Sequence, residues 1–95
     1  MNVTVSSVED FCGVLRRAAG SRCVSAVWLQ MPQAADDAGA ACALAQLHWL
    51  GMGTVQLERP AGDVEGLHAD LRRIETVAGE LGLLCIAGRF RPLAA

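Results

Sequence analysis

Between residues 8 and 19 the apolar side chains recur at helical spacing. Val8, Phe11, Cys12, Leu15, Ala18 and Ala19 share one face, and Glu9, Asp10, Gly13, Arg16 and Arg17 occupy the other. Ser6-x-x-Glu9 reads as a capping box at the start, and Gly20 as the stop. This predicts a one-sided surface helix over 7–19. Residues 23–29 are apolar on both alternating sets, the pattern of a strand covered on both faces. Met31-Pro32 ends that run. Proline suits the first helical position, where its missing N–H costs nothing, so a second helix is predicted over 32–50, closed by Gly51.

Thr54-Val55-Gln56-Leu57-Glu58 alternates cleanly, which predicts a strand with one wet face near a sheet edge. Arg59-Pro60-Ala61-Gly62 reads as a turn. Asp63 caps a third predicted helix over 63–81, with Val64, Leu67, Leu71, Ile74, Ala78 and Leu81 on one stripe and Gly82 after it. Residues 83–87 form another doubly apolar strand, and residues 1–5 a short first one with Val3 and Val5 inward.

The predicted order is thus β-α-β-α-β-α-β. Such alternation implies an α/β fold: a small two- or three-layer domain around a mostly parallel, four-stranded sheet with right-handed crossovers. Residues 1–95 form one domain, with no linker or low-complexity segment dividing them.

The predicted second helix is apolar nearly all round. Ala34, Ala38, Ala41, Cys42, Ala45 and Trp49 fall on one side, and Ala40, Ala43, Leu44, Leu47 and Leu50 on the other, with Gln46 and His48 on the seams. A surface helix needs one apolar stripe, so the second face calls for a cover. Helix 1 or helix 3 could supply it. The sharper expectation is a homodimer interface built from Leu44, Leu47, His48 and Leu50.

Composition narrows the classes. Hydrophobic residues make up 53% of the chain, too many for a disordered protein. The net charge is −2 and every base is arginine, without the basic stripe of a nucleic-acid binder. The longest apolar stretch, residues 38–54, is too short to span a bilayer, so no membrane contact is expected. The first residues lack a positive and then apolar leader pattern, which makes the cytoplasm the expected compartment. The four cysteines, Cys12, Cys23, Cys42 and Cys85, lie apart in apolar settings and are expected to be reduced, shielded thiols.

No phosphate-loop, nucleophile-elbow or metalloprotease motif occurs. Gly51-Met52-Gly53 precedes a strand, whereas a dinucleotide loop precedes a helix, so it reads as a helix stop and turn. His48 and His68 have no thiol placed beside them, and no two ligand residues have metal-site spacing. No catalytic residue, metal or cofactor is therefore expected. Two functions remain. The first is a small interaction module (a regulator, adaptor or inhibitor) acting by surface contact with itself and with another protein. The second is a small-anion or small-molecule site, enzymatic or not, at the C-terminal ends of parallel strands. Helix N-termini converge there with Ser6, Ser7, Gln30, Gln33, Glu58, Arg59, Asp63 and Arg89, of which Ser7, Arg59, Asp63 and Arg89 are the candidate ligand contacts.

Overall fold

A computed structural model describes residues 2–30, 41–60 and 62–88. The elements run β1 (Asn2–Val5), α1 (Val8–Gly20), β2 (Ala26–Leu29), β3 (Ala41–Trp49), β4 (Gly53–Pro60), α2 (Val64–Glu80) and β5 (Leu84–Ala87). They build a small α/β domain with a mixed sheet of order β1-β4-β3-β2-β5. The pairs β1–β4 and β2–β5 are parallel, and β3 runs antiparallel to both β4 and β2.

This order explains the layering. The crossover through α1 carries the chain from the first sheet position to the fourth, and that through α2 from the second to the fifth. Both advance in the same direction from strands of the same direction. Crossovers of one hand then lay both helices on one face of the sheet. The helices indeed pack on each other, α1 also touching β1 and β4 and α2 touching β3 and β5. Among the described elements the fold has two layers, helices over sheet.

Two expectations need correction here. The predicted helix over 32–50 is not formed in its second half: residues 41–49 are β3, the central strand, and residues 31–40 lie outside the described residues. The expected mostly parallel, four-stranded β-α repeat therefore becomes a mixed, five-stranded sheet. The physical reason lies in the run Ala45-Gln46-Leu47-His48-Trp49, where Leu47 faces the core and Gln46 and His48 do not. That is a period of two, which a central strand satisfies through both neighbours. Alanines have high helix propensity, but propensity is a weak prior against a sheet that needs its middle strand. Gly51-Met52-Gly53 is accordingly the turn of the β3–β4 hairpin. Gly51 (φ 92°) and Gly53 (φ 103°) occupy the left-handed region, and Met52 N–H donates to the Trp49 carbonyl at 2.9 Å.

The core lies between helices and sheet. Phe11, Cys12, Leu15 and Ala18 of α1 and Leu67, Leu71, Ile74, Val77 and Ala78 of α2 bury against Val27, Leu29, Leu44, Ala45, Leu47, Val55 and Leu57. A bulge between Ala43 and Ala45 adds Leu44 to β3, whose carbonyl accepts from Gln30 N–H at 2.9 Å. Strand β4 has a neighbour on each side, so it is not the edge that its alternation suggested; among the described strands β1 and β5 are the edges.

Both helices end alike. Arg22 and Cys23 N–H donate to the Ala19 and Ala18 carbonyls after α1, and Gly82 and Leu83 N–H to the Gly79 and Ala78 carbonyls after α2. Each is a Schellman motif. In α2 the left-handed residue is Gly82 (φ 73°), as expected. In α1 it is Arg22 (φ 57°), because the helix runs through Gly20.

Candidate functional site

The parallel strands end together, and the strand-end residues can be placed one by one. Arg59, at the end of β4, reaches the beginning of α1, where one Nη donates to the Ser6 carbonyl at 3.2 Å. Its Nε lies 3.6 Å from Oδ2 of Asp70, nearly two turns into α2. Neither atom has a hydrogen-bond partner, although both are buried. Nothing local in the sequence links Asp70 to Arg59, eleven residues away in the chain. Asp63 caps α2, accepting from Gly66 N–H at 3.0 Å. Ser7 is the N-cap of α1 by its backbone, but its side chain makes no capping bond.

The expected Ser6–Glu9 capping box is not formed either. Glu9 instead takes Arg73 of α2 in a two-pronged pair, with contacts of 2.7 and 2.9 Å across the helix seam. Glu58 points away from this cluster, onto the other sheet face. Gln33 and Arg89 lie outside the described residues. The structure thus brings Ser6, Arg59 and Asp70 together. The guanidinium there already faces a carboxylate and a carbonyl, which leaves little surplus positive field for an anion.

A groove between α1 and α2 is lined by Arg16, Arg72, Arg73, Thr76, Val77 and Glu80. Glu9 and Arg73 meet at one level of it, and Arg16 and Glu80 follow one heptad further along the two helices. The arginines there are interleaved with acids rather than gathered into a basic cradle.

The residues expected at the dimer face divide. Leu44 and Leu47 are fully buried under the helices, so they cannot present a surface. His48 is exposed on the helix-free face, and Leu50 is exposed at the hairpin turn. The row they were to form required a helix; on a strand Leu47 and His48 point to opposite faces.

That face, helix-free among the described residues, is their most distinctive surface. Register and pleat place Asn2 and Thr4 of β1, Thr54, Gln56 and Glu58 of β4, Gln46 and His48 of β3, Ala26 and Trp28 of β2, and Leu84 and Ile86 of β5 on it. Its β4–β3 half is a polar ladder. Gln46 donates to Gln56 at 3.4 Å, Gln56 donates to Glu58 at 2.7 Å, and His48 Nδ1 lies 3.4 Å from the Thr54 hydroxyl. Its β2–β5 half is apolar: Leu84 is 63% exposed, Ile86 is 37% exposed, and Trp28 is half-buried between Ile86 and Gln46. The alternation of Thr54 to Glu58 signalled the polar half. Nothing local signalled the apolar half, since residues 83–87 read as covered on both sides.

Burial between helices and sheet raises the thiol pKa of Cys12, Cys42 and Cys85. These groups are poor nucleophiles at neutral pH. No cluster of three or more histidine, cysteine or acidic side chains that could hold a metal occurs among the described residues. No described helix is long and apolar enough to cross a membrane. Compared with protein-family models, with curated proteins and with solved structures, the chain matches none.

Proposed function

We propose that this domain is a small interaction module that works by surface contact and self-associates, using the helix-free face of its sheet. The observation that carries the reading is the exposure of Leu84 and Ile86 beside Trp28, an apolar flank bordered by the Gln46–Gln56–Glu58 ladder. Protein interfaces combine an apolar centre with a polar rim in this way. The flank lacks charge, so a second copy meets no repulsion there. A further protein partner would use the same face, and no nucleic acid, membrane or cofactor enters the reading. A reducing, cytoplasmic setting suits the free thiols.

The competing small-anion reading would place a ligand by Ser7, Arg59 and Asp63. It is weakened by the Asp70 carboxylate beside Arg59. Sedimentation of wild type and of Ile86→Lys over a range of concentrations tests the proposal. The expected result is a mass above the monomer for wild type at high micromolar concentration, and a return toward monomer for the folded variant. A wild type that stays monomeric overturns it.

A further inference from the structure

We infer that self-association occurs by antiparallel pairing of β5 with β5 of a second copy, extending the sheet across a two-fold axis at Ile86. The inference rests on the self-association proposed above and specifies its geometry.

The edges of the sheet differ. Both β1 and β5 are short and free of charged residues, so neither is blunted by the usual charged side chains. On the helix-free face, however, β1 presents Asn2 and Thr4, whereas β5 presents Leu84 and Ile86. On this face only β5 gains apolar burial from a neighbour; the apolar side chain that β1 exposes, Val3, lies on the other face.

The direction of the backbone groups selects the register. Gly88 N–H donates to the Leu29 carbonyl at 3.0 Å, so Gly88 and, two residues back, Ile86 turn their backbone groups toward β2. Cys85 and Ala87 therefore turn theirs outward. Among the described residues nothing pairs with them. With Ile86 on the axis, Cys85 of each copy lies opposite Ala87 of the other, and each of these two pairs exchanges both its hydrogen bonds. Every outward group of the strand is then satisfied. The two Ile86 side chains form the close, non-hydrogen-bonded pair, with Cβ atoms roughly 4.5–5.5 Å apart on the helix-free face. Centring the axis on Cys85 would leave Ala87 to pair beyond the strand, opposite Leu83. The four-residue ladder is smaller than a standard interface of about 800 Å² per partner, so high micromolar concentrations are the range in which to look.

The Cα atoms of such a non-hydrogen-bonded pair lie about 4.5 Å apart, within the range that a disulfide spans. The test is therefore Ile86→Cys in a Cys85→Ser background, oxidised mildly with copper phenanthroline at high micromolar protein. Cys85→Ser alone and Leu84→Cys in the same background are the controls. The expected result is a covalent dimer for Ile86→Cys and little for either control. Ile86→Lys, at an exposed position that leaves the fold intact by circular dichroism, is expected to sediment as a monomer. A wild type that dimerises while Ile86→Cys gives no covalent dimer, or gives no more than Leu84→Cys, overturns the β5 pairing and leaves self-association standing. A monomeric wild type overturns both.

Discussion

Trp28 in β2 and Ile86 in β5 are register partners, side by side on the face of the sheet that, among the described residues, carries no helix. On its other side Trp28 neighbours Gln46, the first donor of the polar ladder. The indole thus stands at the boundary between the two halves of that face. Being half-buried, it should contribute about half of what a fully buried aromatic does. Trp28→Ala is expected to lower stability by roughly 2 kcal/mol, against about 3–5 kcal/mol for Phe11→Ala in the core. Denaturant unfolding of the two variants checks this. Equal losses would mean that the helix-free face is as enclosed as the core.

Leu47 and Leu50 should respond in opposite ways to charge. Leu47 has no exposure, and a glutamate there would bury an unpaired carboxylate. Leu50 is 65% exposed at the hairpin turn. Leu47→Glu is expected to unfold the domain, and Leu50→Glu to leave its circular dichroism and thermal midpoint nearly unchanged. A folded Leu47→Glu protein would contradict the placement of β3.

The helix ends offer a contrast of stabilising and destabilising changes. Arg22 holds a left-handed conformation that glycine adopts freely. Arg22→Gly should therefore stabilise by about 1 kcal/mol, whereas Gly82→Ala should cost roughly 1–2 kcal/mol. For a domain of this size, each kcal/mol moves the thermal midpoint by about 4–8 °C. At the other ends, Asp63→Ala removes a capping bond and should cost about 1 kcal/mol, while Ser7→Ala, which removes none, should be close to neutral. Calorimetry on the four variants gives the comparison, and destabilisation by Arg22→Gly would refute the strain argument.

The thiols make a pH prediction. Burial raises the Cys12, Cys42 and Cys85 pKa values in the folded state, with nearby acids adding to the effect at Cys42 and Cys85. A raised thiol pKa keeps the proton longer in the folded chain than in the unfolded one. The stabilisation is fully present below the ordinary thiol pKa of about 8.5 and is lost as pH climbs through the folded values. Stability measured by urea midpoint should therefore fall above about pH 8.5. At neutral pH, native protein should react slowly with a thiol reagent at these positions. Rapid labelling of two or more of them would be inconsistent with their burial.

The two amphipathic helices were legible in the residues themselves. Phe11, Leu15, Leu67, Leu71 and Ile74 sit at helical spacing, and Asp63 and Gly82 mark the ends of α2. These are local signals, since a helix closes its hydrogen bonds within its own segment. The strand character of Thr54 to Glu58 was legible for a similar reason, because neighbouring residues alone set its alternation. What neighbouring residues do not carry is which strands pair. Strand β3 draws its hydrogen bonds from β2 and β4, so a run rich in alanine and leucine could be read as a helix until its partners were in place. The bulge at Leu44, the meeting of Arg59 with Asp70 and the pairing of Glu9 with Arg73 likewise join segments far apart in the chain. The candidate face is of the same kind. Trp28, Gln46, Gln56 and Ile86 come from four strands, and only the order β1-β4-β3-β2-β5, with both crossovers laying their helices on the opposite side, puts them together. Residue spacing determined two helices and the alternation of Thr54 to Glu58; the long-range closure of the sheet decided which strands pair and which side the helices cover.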